Sequence, residues 1–413
     1  TITVSKNFWT QSSVNNHDCP KTISDKKRCS FDIMKRIKKL FMILFFIAVI
    51  LIAGIAIFIM QPSFGKLPYG TRPQQVVESP HFVDGVFKPP YFIRPIGEGH
   101  SFFTMGKRLF FEKRQVTPKV TIPSIKHDLK VIPLDQDVLI WLGHSSYYIQ
   151  VNGKRFLIDP VLSSYAAPVF FVNKAFDNTT PYSAEDFPVI DYLLITHDHY
   201  DHLDYRTIKK LKKKVRKTIC GLGVGEHFLR WGYRSENIIE SDWYQTISLE
   251  DNFTLHTLPT KHFSGRFLKR NPTLFMAFAL QTPDFKFFLG GDGGYHEDFK
   301  KWGDQFGPFD WVILENGQYN EAWKDIHMMP EQTVQAAIDL QGKNLLPVHN
   351  SKFALSFHSW DTPIRDIERL KPSATLRIIR PMIGDFVFLR DSTQQFEHWW
   401  EGLENEATDH KNK

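Results

Sequence analysis

THDHYDHLD, residues 196–204, places three histidines and three aspartates in nine positions. That density is costly in a purely structural segment, because each buried polar group needs a partner. The apolar run before it, DYLLIT, has the look of a strand buried in a sheet. The stretch therefore reads as a strand running into a loop loaded with metal-type ligands: His197, His199, Asp201 and His202.

Three further strand-like runs end the same way. FTLHTLPTK leads to His262, KFFLGG to Asp292 and NLLPV to His349. Strands packed in a sheet hold their ends rigidly, so loops at one sheet edge can converge on a point. Imidazole and carboxylate are the ligands a hydrolytic zinc takes when it keeps a position open for water. One catalytic zinc uses about three protein ligands; seven candidates exceed one ion and suit two. Two ions ~3.5–4 Å apart can clamp a phosphoryl or acyl group between them. The expected division puts His197, His199 and His262 on one ion and Asp201, His202 and His349 on the other. Asp292 bridges, since a carboxylate has two oxygens to give, and Asp201 is counted among the catalytic groups as well. Asp204, and Asp159 at the end of RFLIDP, are expected behind the ligands, each orienting a ligand histidine. His144, in WLGHSS, reads as a residue that hydrogen-bonds within the fold. Gly290, Gly291, Gly293 and Gly294 give the chain freedom to turn near the metals. They are not a phosphate-cradling loop, as neither GxGxxG nor GxxxxGK[ST] is present.

Outward from these motifs, VLIWLGH, YYIQV, KRFLIDP, LFMAFAL and WVILENG also look like strands bounded by turn signals. YRTIKKLKKKV reads as a helix with Ile208, Leu211 and Val215 on one face. PEQTVQAAIDL and TPIRDIERL carry proline near the first helical position, where its missing N–H costs nothing. This α/β mixture predicts two sheets covered by helices over residues 137–390. Residues 61–136, rich in Pro and Gly, read as an irregular lead-in. Residues 391–413 read as a C-terminal helix and a solvated tail.

The chain has 413 residues, 42% of them hydrophobic, and its 36 Phe predict a core packed largely with aromatics. A formal net charge of +6 is mild for this length and argues against a nucleic-acid partner. Of three cysteines, Cys19 and Cys29 lie in the N-terminal tail, which leaves Cys220 without an internal disulfide partner. Any metal site must therefore be built from His and carboxylates. LFMILFFIAVILIAGIAIFIM, residues 40–60, contains no charge and no proline. At ~1.5 Å per residue it is long enough to span a bilayer. Lys35, Arg36, Lys38 and Lys39 precede it, so the positive-inside rule puts tail 1–39 in the cytoplasm and the catalytic domain on the far side. An uncleaved single-pass anchor is expected. Met34 followed by KRIKK looks like a membrane-protein start, so residues 1–33 read as an extension or a disordered tail. RTIKKLKKKVRK, residues 206–217, carries eight positive charges. It is expected to be a solvated helix face; a surface meeting anionic lipid, at about 1 kcal/mol per basic residue, is the alternative. HSFFTMGKRLFFEKR, residues 100–114, mixes aromatic and basic residues in a way that suits either a membrane interface or ordinary packing.

H-x-H-x-D-H after an apolar strand, followed by separate His, Asp and His, resembles the metallo-β-lactamase-fold hydrolases over roughly residues 137–385. WLGHSSYYIQVNGKRFLIDPV, ITHDHYDHLDY, GGDGGYH, FGPFD, HMMPEQTV and VHNSKFAL resemble one branch in particular, as does the FGKLPYGTR lead-in. That branch is the N-acylphosphatidylethanolamine-hydrolysing phospholipase D enzymes and their bacterial relatives. The resemblance implies a four-layer αβ/βα sandwich with two Zn2+ at one edge. It implies a phospholipid substrate cleaved to phosphatidic acid and an N-acylethanolamine, and a place for His327 near the scissile phosphate. Relatives often carry Trp after the lone histidine where this chain has PTLFMAFAL, a departure that bears on pocket shape. Read from the residues alone, two other classes stay open: a same-fold hydrolase of a small lactone, β-lactam or other ester, and a membrane-tethered metal-binding scaffold without turnover. Another divalent metal would fit similar ligands.

Overall fold

The DYLLI run does form a strand, and the rest of the architecture is arranged around it. The computed structural model describes residues 23–403 except 67–69, 95, 98, 102, 106, 108–115, 267 and 371–375. Most of the aromatic–basic stretch 100–114, the tail 1–22 and the tail 404–413 lie outside the described residues.

Helix α1 spans Ile23–Ile59. Its Ile33–Ile59 part has a mean hydropathy of 3.3 and qualifies by length and composition as a candidate membrane span. The helix begins well before the apolar run, in the basic segment. The lead-in then holds α2 (Gln74–Val77) and a small hairpin of β1 (Phe82–Val83) and β2 (Val86–Phe87). Among the described residues it is otherwise irregular, yet it packs on the domain: Val76 and Phe87 are buried in the central core.

The domain contributes β3 (Val138–Trp141), β4 (Tyr147–Val151), β5 (Lys154–Ile158), β6 (Ile190–Ile195), α3 (Tyr205–Leu211), β7 (Val215–Gly221), α4 (Gly225–Arg230) and β8 (Ile238–Ser241). There follow β9 (Thr246–Ser248), β10 (Thr254–Leu258), β11 (Ala277–Gln281), β12 (Lys286–Leu289), α5 (Asp298–Phe306) and β13 (Trp311–Glu315). The last elements are α6 (Pro330–Asp339), β14 (Asn344–Val348), α7 (Thr362–Arg369), β15 (Arg377–Ile378) and β16 (Phe386–Phe388). Two seven-stranded sheets result, in the orders β16-β3-β4-β5-β6-β7-β8 and β15-β14-β13-β12-β11-β10-β9. The strands that carry the metal-type residues lie inside these sheets, in β6, β10, β12 and β14.

Side-chain alternation assigns the layers. Tyr192 and Leu194 of β6 face the core between the sheets, with Phe278, Phe287 and Ile313 of the other sheet. Leu193 and Ile195 face outward onto Ile208 and Leu211 of α3 and Phe228 of α4. On the opposite side Phe288, Val312 and Leu345 pack under Trp302, Ala337 and Ile367 of α5, α6 and α7. The order is helix, sheet, sheet, helix.

Two expectations need correction. The helix of YRTIKKLKKKV stops at Leu211, and Val215 opens strand β7, parallel to β6 from the Ile190–Val215 pair onward. The LKKK turn breaks the helix, and Val215 is buried with the strand. Residues 391–403 contain no helix; they run through turns that place Trp399 and Trp400 in the core. The driving force there is burial of two indoles, with helix periodicity playing no part.

Candidate metal centre

The ends of β6, β10, β12 and β14 meet at one sheet edge. His197 Nε2 and His199 Nδ1 are 2.9 Å apart, and His262 Nε2 is 3.4 Å from the same His199 nitrogen. Imidazole nitrogens so placed must share a proton or a cation between them. Zinc–nitrogen bonds of about 2.0–2.1 Å in a tetrahedron set neighbouring nitrogens about 3.3 Å apart, close to the spacing found. A second group joins Asp201, His202 and His349 with His144. Asp292 stands between the two. Its Oδ2 is 3.2 Å from His202 Nε2, 3.8 Å from His262 Nε2 and 3.9 Å from His197 Nε2; its Oδ1 is 3.2 Å from His349 Nδ1. His202 Nε2 and Asp292 Oδ1 are buried without a hydrogen-bond partner among the described residues. Orphaned acceptors in a buried cluster of ligand-type groups are what a metal site requires. The His/Asp cluster is able to bind metal.

The histidines of the cluster divide by their surroundings: burial opposes charge on His202, but the Asp292, Asp201 and Asp159 carboxylates around it outweigh that and hold its pKa well above the ordinary range, whereas other members are held neutral. Burial, reinforced by neighbouring histidines, holds His197 well below the ordinary range of imidazole, and burial does the same for His262 and His349. Neutral imidazole is the ligating form. Burial opposes charge on Asp201 and Asp292 too, but the surrounding histidines outweigh it and keep both as carboxylates.

Behind these groups a set of hydrogen bonds fixes their orientation. Asp159 Oδ2 is 2.8 Å from His202 Nδ1, so the other ring nitrogen turns to the cluster. Asp159 also accepts from the Thr196 backbone N–H and hydroxyl. His262 Nδ1 donates to the Ile326 carbonyl at 3.0 Å. Ser145 Oγ lies 2.8 Å from His349 Nδ1. His144 Nε2 is 2.9 Å from Asp201 Oδ2, a hydrogen bond within the fold of the kind its sequence context predicts. Asp204 does not orient a ligand histidine, contrary to expectation. It caps α3, accepting from the Arg206 and Thr207 N–H groups and from the Thr207 hydroxyl. An aspartate immediately before a helix is drawn to the unpaired N–H groups of its first turn.

Glycine has a defined part at two positions. Gly291 has φ +61°, and a Cβ there would sit 2.8 Å from Thr196 Cβ. A Cβ on Gly294 would come within 2.3 Å of the Asp325 carbonyl oxygen. Both let the Asp292 loop lie against its neighbours.

Sequence reasoning missed Glu315. Its carboxylate is fully buried, accepts from the Gly293 and Met328 N–H groups, and lies 2.5 Å from His327 Nδ1. Burial pushes its pKa up to about 7, and the Glu315 charge in turn carries His327 to about 9 against the opposing effect of burial. The signal was available: Glu315 ends β13, the WVILE run, just as the clustered His and Asp residues follow their own strands.

A cavity of about 450 Å3 opens over the cluster, lined by His199, Asp201, His262, Asp292, His327 and His349. Ile96 and Met105 of the lead-in, with Ala322, Trp323, Ile326 and Leu355, form an apolar wall. Gly97 N–H donates to the Ala322 carbonyl and Arg94 N–H to Asp325, which fastens the lead-in to that wall.

Two stacked sheets between helix layers, with a His/Asp cluster at the strand ends, define a metal-dependent hydrolase architecture. A beta-lactamase superfamily domain profile matches residues 154–350. The chain belongs to the metallo-β-lactamase-fold hydrolases. It is 37% identical over 266 residues to an uncharacterized protein of Mycobacterium tuberculosis, covering 63% of this chain and 70% of that protein. It is 52% identical over 103 residues to the outer membrane protein RomA of Klebsiella pneumoniae, covering 25% of this chain and 78% of RomA. An N-acyl-phosphatidylethanolamine-hydrolyzing phospholipase D of Caenorhabditis elegans is 28% identical over 221 residues, 51% of this chain and 62% of that enzyme.

Proposed function

We propose that this chain is a dinuclear zinc phosphodiesterase of phospholipase D type. Its substrate on this reading is N-acylphosphatidylethanolamine, cleaved to phosphatidic acid and an N-acylethanolamine. The observation that carries the reading is the cavity itself: a floor of metal-type ligands under an apolar wall suits a phosphodiester with attached acyl chains. The worm phospholipase D among the relatives supports the same substrate class.

In this reading His197, His199 and His262 hold one ion, Asp201, His202 and His349 the other, and Asp292 both. When bound, such ions supply a water of pKa roughly 7 and offset charge on phosphoryl oxygens. Asp159 and His144 keep His202 and Asp201 in place. His327, its Nδ1–H held by Glu315, presents Nε2 to the cavity and gives a proton to the departing alkoxide oxygen. The apolar wall excludes water from the acyl chains. The apolar run 40–60 anchors the chain in the bilayer that supplies the lipid, with Lys35, Arg36, Lys38 and Lys39 on the cytoplasmic side and the catalytic domain opposite. The domain limits proposed are 40–60 for the anchor and 137–390 for the hydrolase.

The test is a product assay. The zinc-loaded chain is offered N-acylphosphatidylethanolamine and plain phosphatidylethanolamine in mixed micelles, with His199→Ala as control. Phosphatidic acid and N-acylethanolamine, formed by the wild type alone, are expected by mass spectrometry. Cleavage of a lactone or simple ester with both lipids untouched would contradict the lipid assignment.

A further inference from the structure

Two arginines four residues apart follow His262, and they are treated very differently. Arg266 is buried and bonded within the fold: its two terminal nitrogens donate to the carbonyls of Asp198, Leu203 and Ser63, and only Nε is left without a partner among the described residues. Arg270 lines the cavity over the metal-type cluster. Its guanidinium lies 3.8 Å from the centre of the Phe263 ring, and among the described residues it has no hydrogen bond or ion pair. The Phe263 ring stands edge-on to His199, with centroids 4.6 Å apart, and 4.8 Å from His262. Stacking on an aromatic face positions a guanidinium without using any of its five donors. The donors stay free, beside the ligand histidines, and no other Lys or Arg lines this cavity among the described residues. Of the other charged lining groups, Asp201 and Asp292 are directed into the cluster and His327 is held by Glu315.

We infer that Arg270 is the specificity-determining residue of the cavity: it receives an anionic oxygen group of the substrate, a phosphate or carboxylate, and so selects anionic amphiphiles over neutral esters and lactones. This rests on the hydrolase reading above and adds to it the charge of the substrate. A planar guanidinium meets two oxygens of one such group at once, while Ile96, Met105, Trp323 and Leu355 take the apolar part. Phe263, sequence neighbour of His262, makes the link between metal floor and anion anchor. Its replacement by a small residue would free the arginine from its position.

The test uses the full chain in detergent micelles, metal-loaded, as wild type, Arg270→Gln and Arg270→Lys. Binding of dihexanoylphosphatidic acid, dihexanoylglycerol and inorganic phosphate is measured by titration calorimetry. Arg270→Gln should lose at least tenfold in affinity for the phosphatidic acid, with dihexanoylglycerol unaffected, and Arg270→Lys should recover part of the loss. A parallel loss for inorganic phosphate would make the bare anion the ligand; a loss confined to the lipid would make it the headgroup together with its chains. Either result supports an anion anchor. Equal phosphatidic acid affinity in wild type and Arg270→Gln, or an equal loss for dihexanoylglycerol, would overturn it. Turnover of N-acylphosphatidylethanolamine by the same samples separates the two readings. Turnover with an unchanged KM in Arg270→Gln removes the role of Arg270 and leaves the enzyme assignment. Arg270-dependent binding without turnover does the reverse.

Discussion

Asp198 and Asp201 sit three residues apart in one loop and have opposite surroundings. Asp198 is buried and fully satisfied: it accepts from the Gly265 N–H at 2.7 Å, the Thr273 hydroxyl at 2.9 Å and His227 Nε2 at 3.2 Å. His227 accepts in turn from the Lys66 N–H, so this network ties the lead-in to the ligand loop. Burial alone would raise the Asp198 pKa, but His227 holds it well below the usual carboxylate range. Asp201 faces the cavity, held at one oxygen by His144, amid histidines with unpaired nitrogens. The first arrangement spends every polar atom on the protein; the second leaves lone pairs for something else. That contrast between a closed network and an open one separates structure from function within nine residues.

The largest expected effect tests the open side. Asp201→Ala should lower kcat/KM on the order of a thousandfold, as one member of the transition-state clamp is worth several kcal/mol. Its unfolding midpoint in urea should stay near that of wild type. A comparable fall in stability would erase the distinction. Asp198→Ala should do the opposite and cost about 3–5 kcal/mol of stability, since it strands the partners of a buried charge. Chemical denaturation measures this, and a variant of full stability with lost activity would place Asp198 in the chemistry.

Lys352 sharpens the comparison on the closed side. It is wholly buried, and its Nζ donates to the carbonyls of Leu142 at 3.1 Å and Val161 at 2.8 Å. Burial lowers its pKa from 10.5 to about 7. Between those values the unfolded chain binds a proton that the folded chain does not. This lysine therefore makes stability fall as pH drops from 10.5 toward 7, by on the order of 1 kcal/mol per unit, and contributes no slope below 7. Lys352→Met should flatten the stability profile between pH 8 and 10, which denaturation at several pH values would show; an unchanged slope would mean that the lysine is charged when folded. The smallest effect belongs to the third aspartate of the loop. Asp204→Ala should cost about 1 kcal/mol, the usual value of a helix cap, and leave turnover intact. A large activity loss would restore it to the metal centre.

The His/Asp cluster was legible in the sequence because each of its members follows an apolar strand, and strands packed in a sheet can deliver their ends to one edge. Asp159 was legible on the same ground. Asp204 was misread because its neighbours in sequence are ligand-type residues of the cluster, whereas the helix that claims it starts one residue later. Strand β7 was hidden by Arg216 and Lys217, whose charges suited the preceding basic helix; only the buried TICG end gives it away. Arg270 could be paired with its role only in three dimensions, since the cavity walls come from distant segments; Glu315 ends a strand as the cluster residues do, and only its pairing with His327 needed the structure. The lead-in carries no periodic signal at all, yet Ile96 and Met105 complete the apolar wall.

The central claim is that seven residues from four strand ends hold two metal ions. Metal content per chain, by inductively coupled plasma mass spectrometry on protein equilibrated with zinc and freed of excess, tests it most directly. Two ions per chain are expected in the wild type and fewer than two in both His199→Ala and Asp292→Ala. One ion or none in the wild type, or two retained in both variants, would contradict it.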